Sequence, residues 1–106
     1  MGYTPPKRLR ATQTFLDWIN RLKDLGGRAR IQMRIDRLAH GNPGKHKRLS
    51  ARVWELKIDF GPGYRVYYSE IRSELIVLLT GGDKSSQKRD IETAIRMADQ
   101  LELDDS

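Results

Sequence analysis

The chain has 106 residues, with 20 Lys and Arg against 14 Asp and Glu, a formal net charge of +6 and no cysteine. That length fits one domain, expected over residues 1–106, which buries roughly 65% of its unfolded surface. The missing cysteine excludes a disulfide framework and a thiolate zinc site, no run reaches the apolar length of a membrane span, and the basic excess favours polyanion partners, chiefly nucleic acid.

Residues 1–8 are expected to form a loose arm, because Pro5 and Pro6 block regular structure. They contain no apolar signal region, and Pro6 stands where a myristoylation motif takes Ser or Thr, so a soluble cytoplasmic protein is expected. Residues 9–13 read as a short edge strand. Phe15, Trp18, Ile19, Leu22 and Leu25 then fall at helical spacing, with Thr12 or Thr14 as N-cap, and Gly26-Gly27 is expected to stop that helix. A second helix places Ile31, Ile35, Leu38 and Ala39 on one face and Arg30, Arg34 and Arg37 on the other, and ends at Gly41-Asn42-Pro43-Gly44. The short break predicts an antiparallel helical hairpin.

Residues 45–52 are expected to be a basic loop. Trp54, Leu56, Ile58 and Phe60 alternate with Val53, Glu55, Lys57 and Asp59, a half-buried strand pattern. Gly61-Pro62-Gly63 reads as a hairpin turn, after which Tyr64, Val66 and Tyr68 alternate with Arg65, Tyr67 and Ser69. The apolar run of residues 75–79 suits a strand covered on both faces, and Gly81-Gly82 is expected to break it. From Ser85 or Ser86 a last helix carries Ile91, Ala94, Ile95, Ala98 and Leu101 on one face. The order (β)ααβββα implies an α+β fold, with two N-terminal helices packed on a small antiparallel sheet, a C-terminal helix, and all helices on one side. The face holding Glu55, Lys57, Arg65 and Tyr67 is then left for solvent or a ligand.

The basic charge is local. Residues 28–52 hold eight cations and one acid, Asp36, a net +7, so the rest of the chain sums to −1. From Asp99 onward the chain has acids and no base, and 102–106 is an acidic tail. The loop cations Lys45, Lys47 and Arg48, with His46, suit phosphate contacts. The row Arg30, Arg34, Arg37 is either a solvated helix face or a further RNA contact.

Residues 79–85 resemble a phosphate loop only superficially, because Asp83 and Leu78 stand where that motif requires glycine. His40 and His46 have no cysteine or carboxylate cluster beside them, and no metal or other cofactor is expected. Cutting RNA without a metal needs a base for the 2′-hydroxyl, a cation for the charge on phosphorus and an acid for the leaving oxygen. Glu55 is a candidate base, Arg65 a phosphate clamp through its two-pronged fork, Lys84 a proton donor or second cation, Lys57 a further phosphate contact, and Tyr67 a stacking platform for an unpaired base. The alternative is that Glu55, Lys57 and Arg65 form cross-strand ion pairs on a solvated face. Trp18 and Trp54 lie on the apolar phase of their elements and read as core.

Trp54-Glu55-Leu56, Gly61-Pro62-Gly63-Tyr64-Arg65-Val66-Tyr67-Tyr68, and Leu78-Leu79-Thr80-Gly81-Gly82-Asp83-Lys84-Ser85-Ser86-Gln87 with Asp90-Ile91 resemble the HigB-like branch of the RelE/ParE toxins, the phage-derived addiction-module killer proteins. Phe15-Leu16-Asp17-Trp18, Arg34-Ile35-Asp36-Arg37-Leu38 and Gly41-Asn42 extend the resemblance. It implies a RelE-like fold and the toxin of a type II toxin–antitoxin pair, acting as a ribosome-dependent mRNA endonuclease. It also implies a small HigA-like helix-turn-helix antitoxin as partner. Arg65 matches the strand arginine associated with the superfamily's active site, and Lys84 falls near its late active-site residues. Some relatives carry His or Tyr there, so the acid and base stay open. The same resemblance admits a ParE-like inhibitor of DNA gyrase, or an inactive relative that keeps only antitoxin binding, since fold alone does not fix activity.

Overall fold

The computed structural model describes residues 5–105. Along the chain lie β1 (Arg8–Ala11), α1 (Gln13–Arg21), α2 (Leu25–Ala39), β2 (His46–Arg48), β3 (Trp54–Ile58), β4 (Tyr64–Ile71), β5 (Leu75–Gly82) and α3 (Gln87–Asp105), with a 3-10 turn over Lys84–Ser86. The class is α+β, as expected, but the order differs, because the basic stretch read as a loop contains β2. Of the expected loose arm, residues 1–4 lie outside the described residues and Arg8 already belongs to β1. At the other end, the backbone of α3 continues into the acidic tail as far as Asp105.

Local chemistry sets the helix boundaries. The Thr12 hydroxyl accepts from Phe15 N at 3.0 Å, capping α1, and donates to Leu79 O at 2.6 Å, which ties the cap to the sheet. Asp24 caps α2 by accepting from Gly27 N at 2.9 Å. Gly26-Gly27 therefore opens α2 instead of ending α1, which stops at Arg21. The reason is packing: a Cβ on Gly27 would lie 2.6 Å from the Tyr64 ring. Leu25, expected in the apolar stripe of α1, instead starts α2 in the open, 74% exposed.

The five strands form one mixed sheet in the order β1-β5-β4-β3-β2. β1 runs parallel to β5, and every other pair is antiparallel. The wholly antiparallel expectation fails because two helices and three strands separate β1 from β5, enough chain for a parallel return. The helices also do not share a side. Phe15, Ile19, Ile31, Ile35 and Leu38 pack with Leu56, Ile58, Tyr64, Val66, Tyr68, Ile76 and Leu78. Ala94 and Ala98 pack with Val53, Tyr67, Val77 and Leu79, and Ile91, Ile95 and Leu101 join them. Thus α1 and α2 cover one face and α3 the other, as the doubly apolar run of β5 requires.

A bulge in β5 adjusts the two faces. Tyr68 pairs with Leu78 and Tyr67 with Thr80, so Leu79 is the extra residue and the side-chain phase shifts after it. Gly81 then faces α1 and Gly82 faces α3. These glycines, expected to break the strand, are its last two residues. A Cβ on Gly81 would sit 2.2 Å from the Trp18 ring, and one on Gly82 1.9 Å from Asp90 Oδ2. Each lets a neighbouring element reach the strand backbone.

No helix among the described residues is long and apolar enough to cross a membrane. Gly81→Ala is expected to destabilise the protein by roughly 1–3 kcal/mol or more, because an aromatic ring cannot yield like a flexible chain end. Gly26→Ala, whose new Cβ meets Phe60 at an ordinary 3.4 Å, is expected to stabilise by about 0.5–1 kcal/mol in urea unfolding.

Candidate functional site

The Lys57–Arg65–Gly82 row of the sheet ends beside the β3–β4 hairpin, where the 3-10 turn enters α3. There Lys57, Asp59, Phe60, Gly61, Pro62, Gly63, Arg65 and Lys84 line an open depression of about 450 Å³. The hairpin is built for close approach. Gly63 has φ +80°, and a side chain on it would meet Arg65 Nη1 at 3.3 Å and Lys84 Cβ at 3.7 Å. Lys84 N donates to Pro62 O at 3.4 Å, joining the turn to the hairpin.

Arg65 is only 5% exposed. Its Nη1 donates to Gly63 O at 2.7 Å, and its Nε lies 3.9 Å from Glu55 Oε2. Glu55 is equally buried and accepts from Gln87 Nε2 at 3.0 Å. A guanidinium taken this far from water needs a counter-charge, and Glu55 supplies it from beneath. Glu55 is therefore placed behind Arg65 instead of beside open solvent. In this arrangement it faces the Arg65 guanidinium and Gln87, and not the open solvent where the expected base for a 2′-hydroxyl would stand.

Two further expectations are corrected by burial and bonding. Tyr67 is fully buried under α3, so it offers no stacking platform. Its burial, and then the charges of Glu55 and Asp90, push its hydroxyl up and keep it protonated. Neither that hydroxyl nor Arg65 Nε has a hydrogen-bond partner among the described residues. Arg34 donates to Lys57 O at 2.7 Å, Pro43 O at 2.9 Å and Lys45 O at 3.1 Å. Its fork pins the turn before β2 against β3 and is not open to RNA phosphates.

The remaining cations divide into two groups. Arg30 lies over the Phe60 ring at 5.0 Å, and Lys45 Nζ meets Asp59 Oδ2 at 3.0 Å, so both border the depression. The Lys45 hydrogen bond, with the nearby Lys57 and Arg34 charges, holds the Asp59 carboxyl below its ordinary range. His46, Lys47 and Arg48 are exposed along β2, with His46 and Arg48 flanking Trp54 at 5.6 and 5.5 Å. Arg37 is exposed on α2.

On the α3 side, Asp83 accepts from Ser85 N at 2.8 Å and caps the 3-10 turn. The Ser85 hydroxyl, backbone N–H groups and the Arg65 charge hold its carboxyl below the usual range against burial. Sequence reasoning gave Gln87 and Asp59 no part in the site and read Gly63 only as part of a hairpin turn. The signal for Gln87 is the spacing that puts it at the start of α3, directly over a buried carboxylate. Chemically, one buried guanidinium and two ammonium groups around an open mouth suit an anion such as a phosphate, with Lys57 Nζ 3.8 Å from Asp59 Oδ1.

Breaking the buried pair singly, by Glu55→Leu or Arg65→Met, is expected to cost about 3–5 kcal/mol, and removing both charges together to recover most of it. Urea unfolding of the four proteins measures the coupling; simple additivity would show that the two charges do not compensate each other.

No family model matches the chain. An uncharacterized protein of Haemophilus influenzae is 44% identical to it over 96 residues, covering 91% of this chain and 97% of that protein. With that identity over nearly both full lengths, the chain belongs to the same family as the Haemophilus influenzae protein.

Proposed function

We propose that this chain is a HigB-like toxin of the RelE/ParE superfamily, cytoplasmic, and an endoribonuclease that cuts mRNA on the ribosome. The observation that carries the reading is the convergence of Lys57, Arg65 and Lys84 on one depression. Gly61-Pro62-Gly63-Tyr64-Arg65 and Asp83-Lys84, two of the segments that carry the resemblance, meet at that place. The two N-terminal helices on one face of the sheet agree with a RelE-like fold.

In this reading Arg65 grips the scissile phosphate with the part of its fork not engaged by Gly63. The 2′-hydroxyl gives up its proton to solvent water at the open mouth, its oxygen attacks phosphorus as the bond to the 5′-oxygen breaks, and charge grows on the non-bridging oxygens. Arg65 and Lys57 stabilise that charge. Lys84, exposed at the mouth, delivers a proton to the leaving 5′-oxygen. Glu55, held by Gln87, keeps the guanidinium in place. Arg30, Lys45 and the β2 cations guide the strand, and a HigA-like helix-turn-helix antitoxin restrains the toxin until it is released.

Induction in a bacterium with mapping of mRNA 5′ ends tests this. Wild type is expected to arrest growth and create new ends. Lys84→Ala, a surface change that spares the fold, is expected to lower cleavage by roughly 10²–10⁴-fold, the usual contribution of a positioned acid. Arg65→Ala is expected to abolish it. Growth arrest with DNA damage and intact mRNA would replace this reading with a gyrase-directed one.

A further inference from the structure

The two edges of the sheet differ in a way the depression around Arg65 does not explain. β2 is three consecutive exposed residues, His46, Lys47 and Arg48, with a basic or imidazole side chain at every position. Such an edge resists pairing with another strand. β1, the opposite edge, is four exposed residues with two distinct faces. Arg8 and Arg10 are in register with Leu75 and Val77, on the α3 side, and Leu9 and Ala11 with Ile76 and Leu78, on the α1 side.

On the α3 side, Arg8, Arg10 and Arg72, with Glu74 as the one acid against three cations, border a groove of about 580 Å³ that Ile71, Leu75, Val77 and Leu101 also line. The guanidinium groups of these three arginines have no hydrogen-bond or ion-pair partner among the described residues. Arg72 is delivered there by a β4–β5 turn in which both Arg72 and Ser73, neither of them glycine, adopt positive φ, 54° and 59°. On the α1 side, Leu9 and Leu16 are 43% and 38% exposed and border a second hollow with Ala11, Phe15 and Ile19.

The backbone between these faces is available. Arg8 N donates to Glu74 O at 2.9 Å and Thr12 N to Leu78 O at 3.0 Å, so alternate residues of β1 face β5. By the two-residue period of a strand, the N–H and C=O of Leu9 and Ala11 point away from the sheet. A free backbone edge with arginines on one face and exposed leucines on the other matches one kind of occupant in both charge and polarity.

We propose that β1 is a docking edge for an extended segment of a partner protein in which carboxylates alternate with aliphatic side chains. The segment adds a sixth strand beside β1, its carboxylates meeting Arg8, Arg10 and Arg72 and its aliphatic side chains resting on Leu9 and Leu16. RNA fits less well, because the apolar lining is aliphatic, with no aromatic ring to stack a base, and the edge asks for backbone amides. The proposal stands apart from the nuclease reading and holds whether or not the chain cuts RNA.

The probe is a fluorescein-labelled nonapeptide of alternating glutamate and leucine, titrated with the full chain and read by fluorescence anisotropy. Binding is expected to weaken about tenfold or more in Arg8→Glu/Arg10→Glu, to fall with added salt, and to vanish when lysine replaces glutamate in the peptide. Hydrogen exchange at the amides of Leu9 and Ala11 is expected to slow about tenfold or more on binding, while that of Arg10, already bonded to β5, does not change. Both arginines are exposed, and circular dichroism checks that the variant folds. Ala11→Pro, which removes an outward N–H, supplies a second variant and is expected to weaken binding. Absence of binding, binding that survives the charge reversal, or binding without protection of Leu9 and Ala11 would overturn the proposal. So would self-association through β1 in sedimentation, or binding that appears only after removal of residues 1–4.

Discussion

The close approach at the end of β5 governs the rest of this structure. Two adjacent glycines point to opposite faces, and each admits a group that no side chain would leave room for: the Trp18 ring on one face and the Asp90 carboxylate on the other. The Leu79 bulge sets which glycine faces which helix. Because Asp90 reaches the strand backbone, the start of α3 lies low over the sheet. Arg65, paired with Gly82 on that face, is then taken out of water.

Burial of Arg65 has a chain of consequences. A guanidinium at 5% exposure is tolerable only with a counter-charge and directed acceptors. Glu55 across the strand pair gives the charge, Gly63 O gives an acceptor, and Gln87 from α3 holds Glu55. The hairpin is thereby locked to the helix that covers it, and Lys84 N on Pro62 O closes the same loop from outside. The cation is expensive to hold and rigid once held. In the nuclease reading proposed above, that rigidity leaves little to be ordered when a phosphate arrives.

Much of the fold was legible in the amino-acid pattern. The alternation through Trp54, Leu56 and Ile58 and through Tyr64, Val66 and Tyr68 assigned the central strands and the face toward α1 and α2. The stripe of Ile91, Ala94, Ile95 and Ala98 marked α3. Period alone says which residues share a face but not what covers that face, so Glu55, Arg65 and Tyr67 read as a working surface when α3 lies over them. The clue was the run of residues 75–79, apolar on both phases, which demands cover on both sides and contradicts helices on one. Glycine was read as punctuation, yet Gly27 and Gly81 are places where an aromatic ring meets the backbone. Arg34 looked like one of a row of helix cations, but its bonds run to backbone carbonyls far along the chain, which no local pattern encodes.

The parallel placement of β1 also decides how charge is distributed. A sheet closed by β1 on one side and β2 on the other has two unpaired backbone edges, each a liability unless protected. β2 is protected by having a basic or imidazole side chain at each of its three positions, with Arg48 over the Trp54 ring. β1 separates its two arginines from its one leucine by face, because parallel register with β5 fixes Arg8 and Arg10 beside α3 and Leu9 beside α1. One pattern discourages any added strand, whereas the other keeps cations and apolar groups on separate faces. The same excess of positive charge is therefore laid out differently at the two edges: on every position of β2, and on one face only of β1.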